Sequence, residues 1–184
     1  MKTVDTLARE DCTEDFDTLV STRAHPRPLE AVEIIDYAPQ YKEIFKQLNL
    51  EWIEYYFSVE EIDNAMLSDP EKYYLQPGGY IFFARYCEQI VGTCALLKHQ
   101  EQGFELSKMG VTRYHRGMGI GKKLVATALQ KVRSLGEKGL FLETNSKLLP
   151  AMFLYKKFGF RETAFPRGHS QRYQRADTYM VLEF

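Results

Sequence analysis

The chain has 184 residues, 45% hydrophobic and 14% aromatic, which suits one domain with a substantial core. A net charge of −1, with the basic residues scattered, argues against a nucleic-acid or membrane-surface protein. No long apolar run offers a membrane span, and residues 1–20 are acidic and lack a signal-peptide stretch, so a cytoplasmic location is expected.

Residues 1–29 are acidic, poor in large apolar side chains and punctuated by His25-Pro26-Arg27-Pro28, which reads as a loosely attached extension. Residues 30–184 read as a single domain. Val32 to Tyr37 alternates as a first strand, stopped by Pro39. Ile44, Phe45, Leu48, Trp52, Ile53 and Tyr56 then recur at helical spacing. Ser58 with Glu61 predicts a capping box for a second helix, ended by Asp69-Pro70. After the turn Pro77-Gly78-Gly79, three strands form an expected antiparallel meander: Tyr80–Cys87, Ile90–Leu97 and Phe104–Val111. Glu88-Gln89 is the expected turn between the first two. Gly110 inside the third suggests a bulge or a close backbone approach.

A long amphipathic helix follows, with Ile120, Leu124, Val125, Ala128, Leu129, Val132 and Leu135 on its buried face. Leu140–Thr144 is a short strand, so strand, helix and strand make a βαβ unit with a parallel pair. Pro150 opens a last helix carrying Ala151, Leu154, Tyr155 and Phe158 on one face. Phe160–Thr163 and Thr178–Phe184 are terminal strands, the latter expected to close the sheet. Exposed edges of these late strands make a homodimer an expected assembly. The fold class is α/β (α+β), a mixed sheet flanked by about four helices. Cys12, Cys87 and Cys94 have no metal-ligand spacing and form no even framework, so reduced thiols and no metal site are expected, with Cys94 in the core.

The stretch Arg116-Gly117-Met118-Gly119-Ile120-Gly121-Lys122 carries the chemistry. Alternating glycines at a helix start bare backbone N–H groups beside the positive end of the helix dipole, an anion site suited to phosphate. Arg116 and Lys122 add charge. A P-loop reading fails because its first glycine falls on Arg116 and its hydroxyl residue on Lys123. A dinucleotide fingerprint keeps Gly117 and Gly119 but places its third glycine on Lys122, with Glu143 at the spacing of a ribose ligand. R-x-x-G-x-G is met in full by Arg116, Gly119 and Gly121.

That third pattern resembles the acetyl-CoA pyrophosphate loop of the GNAT family of N-acetyltransferases. Two more segments share the resemblance: Leu140–Asn145 is similar to the family's fifth strand, and Pro150–Phe160 to its A-x-x-L-Y-x-x-x-G-F signature. The resemblance covers residues 30–184 and implies the family's fold, with the fourth and fifth strands splayed at a bulge to admit the pantetheine arm of acetyl-CoA. It implies that backbone groups of Met109 and Val111 bond that arm and that the N–H groups from Gly117 through Met118, Gly119, Ile120 and Gly121 to Lys122, with Arg116, hold the pyrophosphate. Asn145 is a candidate for the arm and Lys157 for a phosphate; the alternatives are a turn residue and a solvated lysine.

The implied activity moves an acetyl group from acetyl-CoA to a primary amine of a small molecule or peptide. The amine attacks directly, through a tetrahedral intermediate that a backbone N–H near Val111 would stabilise. Tyr155 is the candidate general acid for the leaving thiolate, against a plain core aromatic. Glu105 is the candidate base, against an ion-pair partner. Glu51 and Glu54 would face the acceptor pocket, or solvent. His115 would meet a phosphate or lie exposed. His169, Tyr173, Arg175 and Asp177 would rim the acceptor site, or Arg175 would pair with Asp177. The competing functions are a silent acyl-CoA-binding module on the same fold and a dinucleotide-binding oxidoreductase.

Overall fold

The computed structural model describes residues 31–169 and 171–184, so the expected extension and Cys12 lie outside the described residues. Strand β1 (Glu33–Asp36) runs through a 3₁₀ turn at Pro39–Tyr41 into α1 (Lys42–Tyr56) and α2 (Glu61–Ser68). Proline suits the head of that turn because its missing N–H would find no partner there. Helix α1 buries Phe45, Leu48, Asn49 and Ile53. Helix α2 does open on a capping box, but Glu60 and Asp63 make it instead of Ser58 and Glu61. A π-helical turn at Glu71–Leu75, unmarked by any sequence pattern, follows.

The meander consists of β2 (Tyr80–Tyr86), β3 (Gln89–His99) and β4 (Gly103–Val111). The first turn falls on Cys87-Glu88, one residue earlier than expected, and both residues have positive φ (44° and 60°). That is the backbone sense a two-residue hairpin loop requires. Helix α3 (Ile120–Ser134), β5 (Gly139–Thr144), α4 (Leu149–Lys157), β6 (Arg161–Thr163) and β7 (Thr178–Glu183) complete the chain. All seven strands join one sheet in the order β1-β2-β3-β4-β5-β7-β6. The β4–β5 pair is parallel, as the βαβ reading requires. Strand β7 does not close the sheet; it inserts between β5 and β6 and leaves three-residue β6 at the edge.

The sheet is covered on both faces. Phe82, Ala84 and Leu106 pack in one cluster with α3 residues Leu124, Val125 and Ala128, while Ile81 and Phe83 join Phe45, Ile53 and Met66 in the other. Two buried faces explain why β2 and β3 read as continuous apolar runs instead of alternating ones. Cys94 is fully buried, as expected. Leu135 is not: it lies beyond the last helical turn and is 43% exposed. Among the described residues no helix is long and apolar enough to cross a membrane.

Leu124 is fully buried where α3 meets the sheet. Leu124→Ala is therefore expected to cost about 2–5 kcal/mol in denaturant unfolding, through lost transfer energy and a residual cavity. A loss below about 1 kcal/mol would mean that α3 is not anchored at this point.

Candidate active site

Strands β4 and β5 pair only at Phe104–Leu140 and Glu105–Phe141. Beyond these residues β5 continues along β7, and β4 continues along β3. Among the described residues the backbone of β4 from Leu106 onward therefore has no strand on its β5 side. A bulge sits at the parting: Ser107 pairs with Ala95 and Gly110 with Thr93, so Lys108 and Met109 together stand opposite Cys94. Lys108 has a φ of 47°, a conformation uncommon for a residue with a side chain. Gly110 is needed for the other expected reason, close approach. A Cβ there would lie 3.0 Å from the Trp52 ring and 3.1 Å from the Leu48 carbonyl oxygen, so α1 lies directly against β4.

A cavity of about 480 Å³ occupies the gap. Met109, Val111, Arg116, Gly117, Gly119, Ile120, Gly121, Lys122, Asn145, Tyr155, Lys157 and Glu105 all line it. Met118 does not; its side chain packs against the core. Gly117 and Gly119 have φ of 82° and 81°, and Gly119 caps α3. The first N–H groups of α3, which have no intrahelical acceptor, thus belong to residues that line the cavity. The Ile120 side chain is buried in the core cluster with Leu124 and Val125. The Arg116 Nε donates to the Val111 carbonyl at 3.1 Å, which fastens the loop to the end of β4. Lys157 Nζ lies 4.6 Å from the centre of the Phe153 ring on the exposed flank of α4.

Tyr155, on α4, lines the cavity, also packs in the core cluster against Phe160, and is 7% exposed. Burial pushes its hydroxyl well above the usual tyrosine range, so it stays protonated at neutral pH. Asn145 is buried and bonded on both ends of its amide: its Nδ2 donates to the Arg175 carbonyl at 2.5 Å and its Oδ1 accepts from the Lys147 N–H at 2.9 Å. The second contact is the Asx turn that the alternative reading described. Glu105 is buried against His99 at 2.8 Å and Arg172 at 2.9 Å. Burial alone would raise its carboxyl, but the His99 hydrogen bond and the Arg172 charge outweigh that and hold it below the usual range. It is therefore the ion-pair partner of the alternative reading, and a weak proton acceptor.

The opposite end of the cavity is lined by Trp52, Tyr56, Phe57 and Tyr173, with Lys108 and Arg175 between them. Arg175 grips Asp63 through two bonds of 2.6 and 2.8 Å and reaches Glu60 at 3.0 Å. Lys108 donates to the same Asp63 at 2.6 Å, its side chain 2% exposed. Burial lowers the Lys108 ammonium to about 8 despite that carboxylate. The expected Arg175–Asp177 pair is not formed; Asp177 instead accepts from the N–H and hydroxyl of Ser146 at 2.7 Å each. Glu51 and Glu54 do not line this cavity; Glu51 accepts from the Arg113 N–H at 2.8 Å, and Glu54 is exposed. His115 lines the cavity near the glycine loop, its Nδ1 buried and without a hydrogen-bond partner among the described residues.

Glu143 has a larger place than its sequence role as a dinucleotide ribose ligand suggested. It lines the cavity from β5, and its Oε1 lies 2.7 Å from His169 Nε2. No local pattern joins two residues 26 positions apart, and only their chemical types offered a hint.

A bare strand edge here runs into a glycine-capped helix start along one cavity. The family description "Acetyltransferase (GNAT) family" matches residues 42–160. The chain belongs to the GNAT acetyltransferase family. Human N-acetyltransferase 8B is 38% identical over 103 residues, 53% of this chain and 45% of that protein. The chain spans about half the length of such curated relatives. A GNAT-family acetyltransferase from Staphylococcus aureus superposes with a TM-score of 0.75 at 26% identity, covering 83% of this chain and 99% of that one. An acetyltransferase from Bacillus subtilis, solved in complex with CoA, gives 0.59 at 22% identity, covering 83% and 97%.

Asp63 neutralises two buried cations at once. Asp63→Ala is expected to destabilise the protein by about 3–5 kcal/mol in denaturant unfolding, since uncompensated buried charge remains. A cost below about 1 kcal/mol would place the cluster in effective contact with solvent.

Proposed function

We propose that the protein is an acetyl-CoA-dependent N-acetyltransferase that acetylates a primary amine. The observation that carries this reading is the single cavity joining the bare edge of β4, the glycine-capped start of α3 and the Tyr155 side chain. Their chemistry fits an acyl-CoA. An extended amide-bearing arm pairs with a free strand edge through main-chain hydrogen bonds. A pyrophosphate suits the N–H groups of residues 117–122, where Arg116 and Lys122 supply charge. The CoA bound to the Bacillus subtilis relative supports the same ligand.

In this reading the acetyl group lies near the bulge, beside Val111 and Tyr155. The acceptor enters from the side of Trp52, Tyr56, Phe57 and Tyr173. Its neutral nitrogen attacks the thioester carbonyl, a backbone N–H of the bulge steadies the oxygen, and Tyr155 protonates the departing sulfur. Met109 and Val111 serve through their main chain. Asn145 acts by fixing the end of β5 against the Arg175 segment, and Lys157, over the Phe153 ring, supplies a cation at the phosphate end.

Calorimetric titration is expected to give saturable binding of acetyl-CoA and none of NAD. Binding of NAD alone, or of neither, contradicts the reading. Gly119→Val should abolish detectable acetyl-CoA binding, because valine resists the left-handed backbone there; unchanged affinity would remove the loop from the site. Tyr155→Phe should lower turnover about 100-fold, the scale of general-acid catalysis, with acetyl-CoA affinity retained. Unchanged turnover would exclude the hydroxyl from the chemistry and leave room for a silent binding module.

A further inference from the structure

Two carboxylates, Glu105 and Glu143, line the cavity from the adjacent strands β4 and β5 where these part. Their surroundings differ. Glu105 is bound by His99 and Arg172. Among the described residues Glu143 has one hydrogen-bond partner, His169, on Oε1, and its Oε2 is buried with none. The Glu143 side chain is only 3% exposed. An unpartnered oxygen of this kind costs stability, and such a cost is retained where the group has work to do. His169 is itself held in place, with ring centroids 5.5 Å from Phe165 and 5.4 Å from Tyr179, the latter being the cross-strand partner of Glu143.

We propose that Glu143, oriented by His169, is the catalytic base that takes the proton of the acceptor ammonium. The proposal rests on the N-acetyltransferase reading and names the residue which that reading leaves open. Glu143 Oε2 accepts one proton from R–NH₃⁺ and becomes a carboxylic acid. The freed electron pair of R–NH₂ forms the new C–N bond at the thioester carbonyl. The C–S bond then breaks, and Tyr155 gives its proton to sulfur. The second proton leaving nitrogen restores Tyr155, and Glu143 returns its proton to solvent. The sum is R–NH₃⁺ and acetyl-CoA giving the amide, CoA thiol and one H⁺.

The electrostatics agree with this division. Burial, followed by the negative charge of Glu105, raises the Glu143 carboxyl above the ordinary 4.5, against the opposing pull of His169 and Arg172. Tyr179 faces it from β7 as a neutral phenol. A pair of carboxyls pushed apart in this way separates a fixed anion from a group able to exchange protons. Only ionised Glu143 is a base, so kcat/KM should rise with pH through its raised midpoint.

The test compares Glu143→Gln with the wild type, reading thiol release from acetyl-CoA against pH. 2-Phenylethylamine serves as the acceptor probe for the aromatic end of the cavity, and water as the acceptor-free control. Glu143→Gln should lower kcat/KM about 100-fold and abolish the acid limb, while calorimetric affinity for acetyl-CoA stays within about twofold. His169→Phe, which removes a bond that favours the ionised carboxyl, should move the acid limb to higher pH and leave a folded protein. A Glu143→Gln variant with the wild-type rate and pH profile overturns the proposal. If the wild type does not bind acetyl-CoA, the transferase reading falls first, which is a separate outcome. Carbon-13 titration of the Glu143 carboxyl needs no turnover: a midpoint above 4.5 is expected, and one at or below it overturns the proposal even if the probe amine is not consumed.

Discussion

Everything in the site depends on the early parting of β4 from β5. The two strands are locked together at Glu105 and Phe141 and then follow different neighbours, β3 on one side and β7 on the other. An edge in the middle of a sheet would ordinarily be a defect, because buried N–H and C=O groups without partners cost energy. Here the gap is held open from both sides. The bulge at Lys108-Met109 bends β4, and the Asn145 bond to the Arg175 carbonyl ties down the end of β5. A ligand that supplies the missing main-chain partners gains what the empty edge lacks.

Charge placement follows the same division of labour. Asp63 draws Lys108 and Arg175 together at the aromatic end, so the left-handed bulge residue is fixed by an ion pair as well as by its backbone. Its burial beside the Tyr173 ring, 4.3 Å from the ammonium, keeps the bulge from relaxing into regular strand. Glu105 is pinned by Arg172, whereas Glu143 keeps one oxygen without a hydrogen bond among the described residues. The same residue type on adjacent strands thus becomes a structural anion in one position and a titratable group in the other.

Much of this was legible in the chain. Gly117 and Gly119 could be read because a left-handed backbone demands glycine, and the helix start they create lies where the pattern put it. Tyr155 lines the cavity as the helix signature implied. Other features escaped because their causes are long-range. Gly110 marks the close approach of α1, one of its two expected readings, whereas the bulge sits on Lys108, a lysine at positive φ bonded to a carboxylate 45 residues away. The capping box moved from Ser58 to Glu60 because Glu60 and Asp63 also bind Arg175. The Glu143–His169 contact and the insertion of β7 between β5 and β6 are tertiary pairings with no local signature.

Amide hydrogen exchange, measured with and without acetyl-CoA, tests the parting of the strands most directly. Bound acetyl-CoA should slow exchange in residues 106–111 of β4 and in residues 117–122 of the glycine loop together, with β1 and β2 unaffected. Saturable binding that protects neither segment, or protects only residues distant from this gap, would contradict the account.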